Sequence, residues 1–355
     1  MKVRDAGPLI EQISASPFER FGGELPEGCD AMLQKPSAPD LETLLFSHGR
    51  AALAWFLAAK GPFSSALICA YTCPTMPAFF RACGLAVRQF DYGEADLSLL
   101  ASQSKGRTIV LLPAAFGMAP WLDVEALAGD LGGRFAVIID AAQSAFGHVE
   151  FSPPAGGAVL ACPRKALALG DGAALRLAKV SPGDHQAIEA LPVAGEAAQL
   201  KQAARKLFAL MDPARESEAL ALVDKSEAAL PDHASRISER SRERLLRTDQ
   251  QQHINRRLAN AAALNSELPD LESLLPAGPG TPFIWPFIAR ERNALLSRLH
   301  ARRVFATPLW PDAVFCDSAH PRARQLRDEL VALPLDQRYS PDDMRRMADL
   351  VRACL

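Results

Sequence analysis

The chain alternates short apolar runs with helix-length amphipathic stretches between residues 49 and about 180. This alternation is typical of an α/β fold, in which helices connect the strands of a sheet. The runs are hydrophobic at successive positions, as expected for strands of a parallel sheet that is covered on both faces. The pattern predicts strands at residues 65–70, 85–90, 108–112 and 136–139, and helices at residues 51–60, 74–83 and 124–131.

Two further apolar runs, at residues 158–161 and 173–177, leave little room for a helix between them. We therefore expect the sheet to end in antiparallel additions, which need only a short connection. Beyond Pro182 the composition shifts to Ala, Glu, Arg and Gln, a mixture that favours helices. These helices are predicted around residues 194–210, 216–230 and 234–268.

The end of the chain predicts a smaller α/β unit, with an apolar segment at residues 282–288 and a helix at residues 294–303. A final helix is predicted to begin at Pro341, a residue that fits the first helical position. Ser340 suits the N-cap before it, and Asp343 completes the spacing of a capping box.

Length and charge narrow the classes of protein. At roughly 150 residues per domain, 355 residues suffice for two domains, and we expect a large domain at residues 1–235 and a small one at residues 236–355. Lys and Arg number 39 against 41 Asp and Glu, so the net charge of −2 provides no field that would hold a nucleic acid. The hydrophobic fraction of 49% is that of an ordinary globular protein.

No membrane span, leader or metal site is expected. The uncharged run at residues 108–122 is too short for about 20 apolar residues and contains two prolines. Asp5 and Glu11 interrupt the apolar positions at the N-terminus, so we expect a cytoplasmic protein. Seven cysteines do not make a secreted disulfide framework, and Cys69 and Cys73 lack the second Cys/His pair of a zinc site.

Three separated features could carry chemistry. Gly49 and Arg50 are the first residues of the first strongly predicted helix, and the unpaired N–H groups at a helix N-terminus attract an anion. An ordinary helix cap without a ligand would have the same sequence pattern. Asp140 follows a buried strand, at the sheet edge where α/β proteins bind ligands, or it simply starts a turn. Lys165 follows the next strand, where a desolvated amine can form a Schiff base, although most lysines are solvated.

Together these features match the needs of pyridoxal 5′-phosphate (PLP). A lysine holds the aldehyde of this cofactor, a carboxylate keeps its pyridine nitrogen protonated, and a helix start binds its phosphate. No GxGxxG, GxxxxGK[ST], HExxH or GxSxG motif competes with this interpretation.

The chain resembles the DegT/StrS-type family of PLP-dependent sugar aminotransferases. The similar segments are GRAAL at residues 49–53, VIIDAAQSAFG at residues 137–147, and Lys165 followed by Gly-Asp-Gly at residues 170–172. Weaker similarity reaches the LPLDQRY segment at residues 333–339, so the resemblance spans most of the chain. It implies the fold-type-I aminotransferase fold: a large, mostly parallel, seven-stranded type of sheet flanked by helices, and a smaller C-terminal α/β domain.

The resemblance also assigns roles to residues. It implies that Lys165 is the catalytic residue that binds PLP covalently, that Asp140 pairs with the pyridine nitrogen, and that Gln143 contacts the ring hydroxyl. Gly49 and Arg50 fall where the family holds the phosphate. An aromatic residue of the family stacks on the ring, and Tyr71 is the aromatic residue of the corresponding loop.

The sequence departs from the family in three respects, one of which is that Ala173 replaces the second glycine of a Gly-Gly pair. Leu160 stands five residues before the lysine, where the family has a phosphate-binding serine, so Arg50 or a partner subunit would have to hold the phosphate. Asp171 replaces a glutamate of the family motif. Arg338 and Tyr339 are candidates for contacts with the substrate, and a structural salt bridge and a packed tyrosine are the alternative.

The resemblance implies transfer of an amino group from an amino acid such as glutamate to a keto group of a nucleotide-linked sugar, in amino-sugar or polysaccharide biosynthesis. It also implies a homodimer whose active sites are shared between subunits. Two alternatives remain: a PLP enzyme that acts on another small substrate, and a non-catalytic PLP-binding or regulatory relative, to which Leu160 points.

Overall fold

The computed structural model describes residues 20–28, 42–94, 96–144, 146–210, 212–315 and 319–355. Asp5 and Glu11, on which the expectation about a leader depends, lie outside these ranges. No helix within the described ranges combines the length and the apolar character that crossing a bilayer requires.

The elements alternate as the hydrophobic pattern predicts. The strands are β1 (Phe21–Gly22), β2 (Thr43–Phe46), β3 (Ser65–Cys69), β4 (Ala86–Phe90), β5 (Thr108–Pro113), β6 (Phe135–Ala141), β7 (Ala158–Ala161), β8 (Ala173–Leu177), β9 (Ile284–Ile288), β10 (Val304–Phe305) and β11 (Leu330–Pro334). The helices are α1 (Gly49–Lys60), α2 (Thr75–Ala82), α3 (Ser98–Ser102), α4 (Val124–Leu131), α5 (Gly147–Glu150), α6 (Pro163–Ala166), α7 (Pro182–Glu189), α8 (Gly195–Ala209), α9 (Glu216–Ala228), α10 (Glu239–Arg247), α11 (Gln250–Glu267), α12 (Arg292–Ala301), α13 (Pro321–Glu329) and α14 (Pro341–Arg352).

The large sheet contains seven of the described strands, in the order β2-β8-β7-β6-β5-β3-β4. The pairs from β4 to β7 are parallel, whereas β8 is antiparallel to both β7 and β2. The mostly parallel sheet is confirmed. The expectation of antiparallel additions is correct for β8 and wrong for β7, which continues the parallel part beside β6, and the edge strand β2 was not predicted.

Continuous apolar runs form these strands because both faces of the sheet are covered. Along β3, Ala66 and Ile68 face a core that α1 and α2 complete. Leu67 and Cys69 point the other way, into a second core that also contains residues of α13, β9 and β11. The second core therefore joins the large sheet to the C-terminal part of the chain.

The helix predicted at residues 234–268 is wrong as a single element. The chain leaves the helical conformation at Thr248, which has φ −69° and ψ 129°. Asp249 then caps α11, because its carboxylate accepts a hydrogen bond from the N–H of Gln252 at 3.0 Å. Two amphipathic helices that meet at a cap share the composition of one long helix, so the hydrophobic pattern does not reveal the break.

The C-terminal unit has the predicted α/β composition. Strands β9 and β11 pair antiparallel, and α11, α12 and α14 bury their apolar faces in a core that also includes Phe21. The predicted capping box of α14 is confirmed: Ser340 accepts from the N–H of Asp343 at 3.2 Å, and Asp343 accepts from the N–H of Ser340 at 2.9 Å. The domain boundary between residues 235 and 236 stays a prediction.

Candidate active site

Asp140 and Lys165 arise from neighbouring strands of the large sheet. Asp140 lies near the end of β6, directly across from Leu160 of β7, and Lys165 lies on α6, which follows β7. Parallel strands end at one edge of a sheet, so this arrangement aims both side chains at the same side of the molecule. The start of α1 lies beside them, because Ser47 accepts a hydrogen bond from the N–H of Gly172 at 2.6 Å.

Lys165 has an exposed side chain on a helix of only four residues. Its backbone N–H donates to the carbonyl of Cys162 at 2.9 Å, which closes the turn that presents the amine. The ammonium group lies close enough to Asp140 and Cys162 to lower the pKa of each. The side chain is exposed, so the desolvated position expected for this lysine is wrong, but an accessible amine can form a Schiff base with a carbonyl compound.

Burial raises the pKa of the Asp140 carboxyl group, and this is the largest influence on it. The ammonium of Lys165 and the N–H of Ala142, which donates at 3.1 Å, act in the opposite direction. A positively charged partner in the cleft would favour the ionised carboxylate further. Asp140 is thus suited to pair with a protonated ring nitrogen.

Gln143 is held with a defined orientation. Its Oε1 accepts a hydrogen bond from the N–H of Phe116 at 2.8 Å, and Phe116 adopts φ 59° in the 3₁₀ turn Ala115–Gly117. A positive φ is unusual for a phenylalanine, so the turn holds this N–H in place against a local preference. With its oxygen fixed, Gln143 has Nε2 as the donor that an acceptor such as a ring hydroxyl would meet.

Gly49, the first residue of α1, packs closely against apolar side chains of and beside β7. A Cβ atom at this position would lie 3.1 Å from Sγ of Cys162 and 3.7 Å from Cδ2 of Leu160. Glycine therefore permits the close approach between the helix start and the strand below. The Leu160 side chain is 2% exposed and belongs to the core, so the side chain at this position offers no hydrogen bond to an anion.

The start of α1 is surrounded by cationic groups. Burial first, and then the charges of Arg164 and Arg50, lower the pKa of His48 to about 3, so this N-cap residue is neutral at physiological pH. Arg50 approaches Asp232 at 3.9 Å. Glu227, which pairs with Arg164, acts on His48 in the opposite direction, so Arg50 and the helix dipole are the groups that favour an anion at this helix start.

Arg164, next to the lysine, forms a two-point ion pair with Glu227 of α9, at 2.7 and 3.1 Å. Burial alone would raise the pKa of the Glu227 carboxyl group. The charges of Arg164, and then of Lys201 and Lys165, outweigh this effect and lower the pKa to about 2. The sequence reasoning missed this pair. The signal available was a second cation directly before Lys165, but nothing local identifies a partner 63 positions away.

Tyr71 is buried in the second core. Its side chain is 1% exposed, its hydroxyl donates to the carbonyl of Leu309 at 2.7 Å, and its ring meets the edge of Trp310 at 5.2 Å. Cys73, two positions later, packs against the core that contains Cys162. The stacking role of Tyr71 stays a prediction that these contacts do not support.

Arg338 and Tyr339 make the structural contacts of the alternative interpretation. Arg338 forms a two-point ion pair with Asp336 at 2.7 and 2.8 Å. Tyr339 is 1% exposed, and its hydroxyl accepts from the N–H of Gly22 at 2.7 Å. Asp171 likewise has a structural role, because its carboxylate accepts hydrogen bonds from Ser238 at the start of α10. Contacts of Arg338 and Tyr339 with a substrate stay a prediction.

A cavity of about 140 Å³ lies at the β2 edge of the large sheet. None of its lining residues is a candidate site residue; they include residues of β2, His148, His185, Arg236 and Arg242. Within the described ranges, no three His, Cys, Asp or Glu side chains group closely enough to hold a metal ion.

Comparison with known proteins gives structural matches alone. No protein-family model matches the chain, and no curated protein matches it at a significant level. A DegT DnrJ EryC1 StrS aminotransferase from Brucella abortus superposes with a TM-score of 0.60 at 16% identity, covering 88% of this chain and 85% of that chain. DesI, solved in the presence of its TDP-sugar product, superposes with a TM-score of 0.61 at 20% identity, covering 99% and 85%.

DesV from S. venezuelae, solved in complex with a ketimine intermediate, superposes with a TM-score of 0.59 at 18% identity, covering 98% of this chain and 93% of that chain. At these identities the likeness establishes the fold. The fold-type-I aminotransferase fold expected from the sequence is therefore confirmed, and so is the resemblance to DegT/StrS-type structures at the level of the fold.

Proposed function

We propose that the protein is a PLP-dependent aminotransferase that transfers an amino group from an amino acid, such as glutamate, to a keto group of a nucleotide-linked sugar. One observation carries this proposal. An accessible lysine just after β7 and a half-buried carboxylate at the end of β6 belong to adjacent parallel strands of the fold-type-I sheet, and the charge of Lys165 partly offsets the rise that burial causes in the pKa of Asp140.

The described residues fit PLP. The start of α1, with the Arg50 guanidinium beside it, suits the phosphate, and the missing side chain of Gly49 permits close approach. Asp140 presents an acceptor from the end of β6, and Gln143 presents a donor from the loop that follows. Leu160 removes one hydrogen bond that the family makes to the phosphate, so Arg50 and the backbone of α1 carry this part of the binding.

When bound, PLP withdraws electrons, so that an amino group can pass between an amino acid and a keto compound. Lys165 would hold the cofactor through Nζ, and the same atom could carry a proton as general acid and base. Asp140 would keep the ring nitrogen protonated through its carboxylate charge. Gln143, whose Oε1 already accepts from the N–H of Phe116, would donate from Nε2 to the ring hydroxyl and thereby orient the ring.

The sugar acceptor is supported by the structural neighbours. DesI was solved with a TDP-sugar product, and DesV with a ketimine intermediate. Nothing in the described residues selects a particular nucleotide or sugar, so the acceptor class rests on this likeness. The donor, the shared dimeric site, a role in amino-sugar or polysaccharide biosynthesis, and a cytoplasmic location stay predictions on the same basis.

The first experiment is the visible absorption spectrum of the protein with added PLP, before and after borohydride reduction. We expect a yellow protein in which reduction fixes the cofactor on Lys165, as peptide mass spectrometry would show. Lys165→Ala should lose both the colour and the covalent label, whereas Lys179→Ala, at another exposed lysine, should keep them. A wild-type protein that takes up no PLP would contradict the proposal.

Addition of amino acids and keto sugars tests the transfer itself. Glutamate should bleach the yellow colour, and a nucleotide-linked keto sugar should restore it. Colour that glutamate bleaches but that other keto compounds restore would assign a different acceptor. Because Leu160 removes a phosphate contact, a second candidate is a non-catalytic PLP-binding relative, which would stay yellow with every donor.

A further inference from the structure

A buried chain of hydrogen bonds joins the C-terminal unit to the helix that carries Lys165. Gln337, in the loop between β11 and α14, donates from Nε2 to the carbonyl of Ala166 at 2.8 Å. Ala166 is the residue after Lys165 and the last residue of α6. The Gln337 side chain is 6% exposed, so water does not compete effectively for this bond.

Arg257 fixes the orientation of the Gln337 amide. Oε1 of Gln337 accepts from both Nε and Nη2 of Arg257, at 3.0 and 2.7 Å. Arg257 lies on α11, is 3% exposed, and also donates to the carbonyls of Pro282 and Phe283 at 3.3 and 3.1 Å. Because guanidinium groups only donate, they hold the amide oxygen toward α11 and direct the amide nitrogen toward Ala166.

The short helix α6 depends on such contacts. Four residues cannot form a stable helix by themselves, and their last carbonyls lack partners within the helix. Arg205 of α8 donates to the carbonyl of Arg164 at 2.9 Å, on the residue before the lysine. Side chains from two parts of the molecule thus hold the carbonyls on both sides of Lys165, and the one from the C-terminal unit is Gln337.

We infer that Gln337 is a positioning residue for Lys165, and that Arg257 acts through Gln337 by orienting its amide. The inference rests on the proposed function, since it assigns the lysine as the group to be positioned. The hydrogen bond to Ala166 restricts the backbone next to Lys165 and so restricts the direction of its Nζ. Loss of this bond alters the amine without removing any group that contacts the cofactor.

Gln337→Glu is the sharpest test. A carboxylate keeps the pairing with Arg257 but has no N–H for Ala166, and it places an oxygen against the carbonyl. Gln337→Met removes both bonds at similar volume and guards against a misfolding effect of the new charge. Arg256→Gln is the matched control, because Arg256 lies on the same helix and donates to the same loop, at the carbonyl of Tyr339, without reaching α6.

Hydrogen exchange of the apoprotein is the first readout. In both Gln337 variants we expect the amides of residues 162–169 to exchange about fivefold faster, with residues 135–141 of β6 unchanged, as loss of one buried hydrogen bond at α6 predicts. Arg256→Gln should leave residues 162–169 as in the wild type. Unchanged exchange at residues 162–169 in both Gln337 variants would overturn the inference.

The pH midpoint of the visible absorption of the PLP-loaded protein is the second readout. A merely structural bond would leave the titration of the lysine-linked chromophore unchanged, whereas displacement of Nζ should shift its midpoint by about half a pH unit or more. A wild-type protein without PLP would contradict the proposed function, while the exchange experiment still tests the positioning of α6. Fast exchange with an unshifted midpoint in the loaded protein would overturn the role toward Lys165.

Discussion

At the residue scale, the candidate site combines polar groups at the ends of two strands with an apolar side chain beside the start of α1. Lys165 and Asp140 interact through charge, and Gln143 is oriented by the N–H of Phe116. Below the start of α1, however, Leu160 belongs to the core. Under the proposed function the first three of these residues would contact the cofactor ring, and the binding of its phosphate would depend on Arg50 and the start of α1.

Leu160→Ser should restore a phosphate contact. A hydroxyl near the start of α1 can donate to an anion, so we expect PLP affinity to rise by about tenfold. Loss of the buried side chain should lower the free energy of unfolding by about 3 kcal/mol. Leu175→Ser on the neighbouring strand is the control, since it is paired with Leu160 and buried in the same core.

Fluorescence titration with PLP and urea unfolding measure these two effects. Leu175→Ser should lose comparable stability and gain no affinity for PLP. An equal change of affinity in the two variants would mean that the phosphate does not lie at Leu160.

His48 should make stability depend on pH. Its pKa is about 3 in the folded protein against 6.5 for an ordinary histidine, because the ring is buried beside two guanidinium groups. In the unfolded chain His48 is therefore protonated below about pH 6.5, whereas in the folded protein it is protonated only below about pH 3. The contribution of His48 to stability is present above pH 6.5 and decreases as the pH falls toward 3.

Between pH 7 and pH 5 this effect should cost about 2 kcal/mol of unfolding free energy. His48→Asn keeps a residue that favours the N-cap position and cannot titrate, so its unfolding free energy should fall by about 2 kcal/mol less over the same range. Denaturant unfolding at both pH values gives the comparison. Parallel pH profiles for wild type and variant would contradict a neutral buried His48.

At the element scale, the reliability of the sequence pattern depends on how local the signal is. The helix cap at Ser340 was predicted because all of its partners lie within three residues. The break between α10 and α11 was missed, although Asp249 is a good N-cap, because the hydrophobic pattern continues across it. Strand β2 has only four residues and pairs with β8, more than a hundred positions away.

The two capping boxes of the described residues should contribute differently to the free energy of unfolding. Ser340→Ala should lower the unfolding free energy by about 1 kcal/mol, because α14 buries Met344, Met347, Ala348 and Val351 and cannot fray without exposing them. Ser181→Ala should cost less than half as much, since α7 buries only Ile188. Urea unfolding of both variants tests this order, and equal losses would show that core packing does not set the cost.

At the scale of the whole molecule, the C-terminal unit is part of the site's construction. Residues of α13, β9 and β11 complete the core on one face of the large sheet. Arg257 and Gln337 connect the same unit to α6. The lysine is therefore held from both the sheet and the C-terminal unit.

The assembly should be a homodimer, as the resemblance implies and as symmetric enzymes commonly are. Light scattering coupled to size-exclusion chromatography should give about twice the mass of one 355-residue chain at micromolar concentration. A second copy is also the natural source of a phosphate ligand to replace the family's serine. A monomer at all concentrations, with PLP bound, would show that one chain completes the site.

The sequence by itself determined the α/β class, the parallel strands β3 to β6, and the positions of Asp140 at the end of one strand and Lys165 just after another. These features depend on local hydrophobicity and on the residues at strand ends, and both can be identified from the sequence alone. Tertiary structure alone decided that Tyr71 lies in the core, that Arg164 pairs with Glu227, and that Gln337 reaches Ala166. Such contacts join residues far apart in the chain, and they exist only once packing has brought them together.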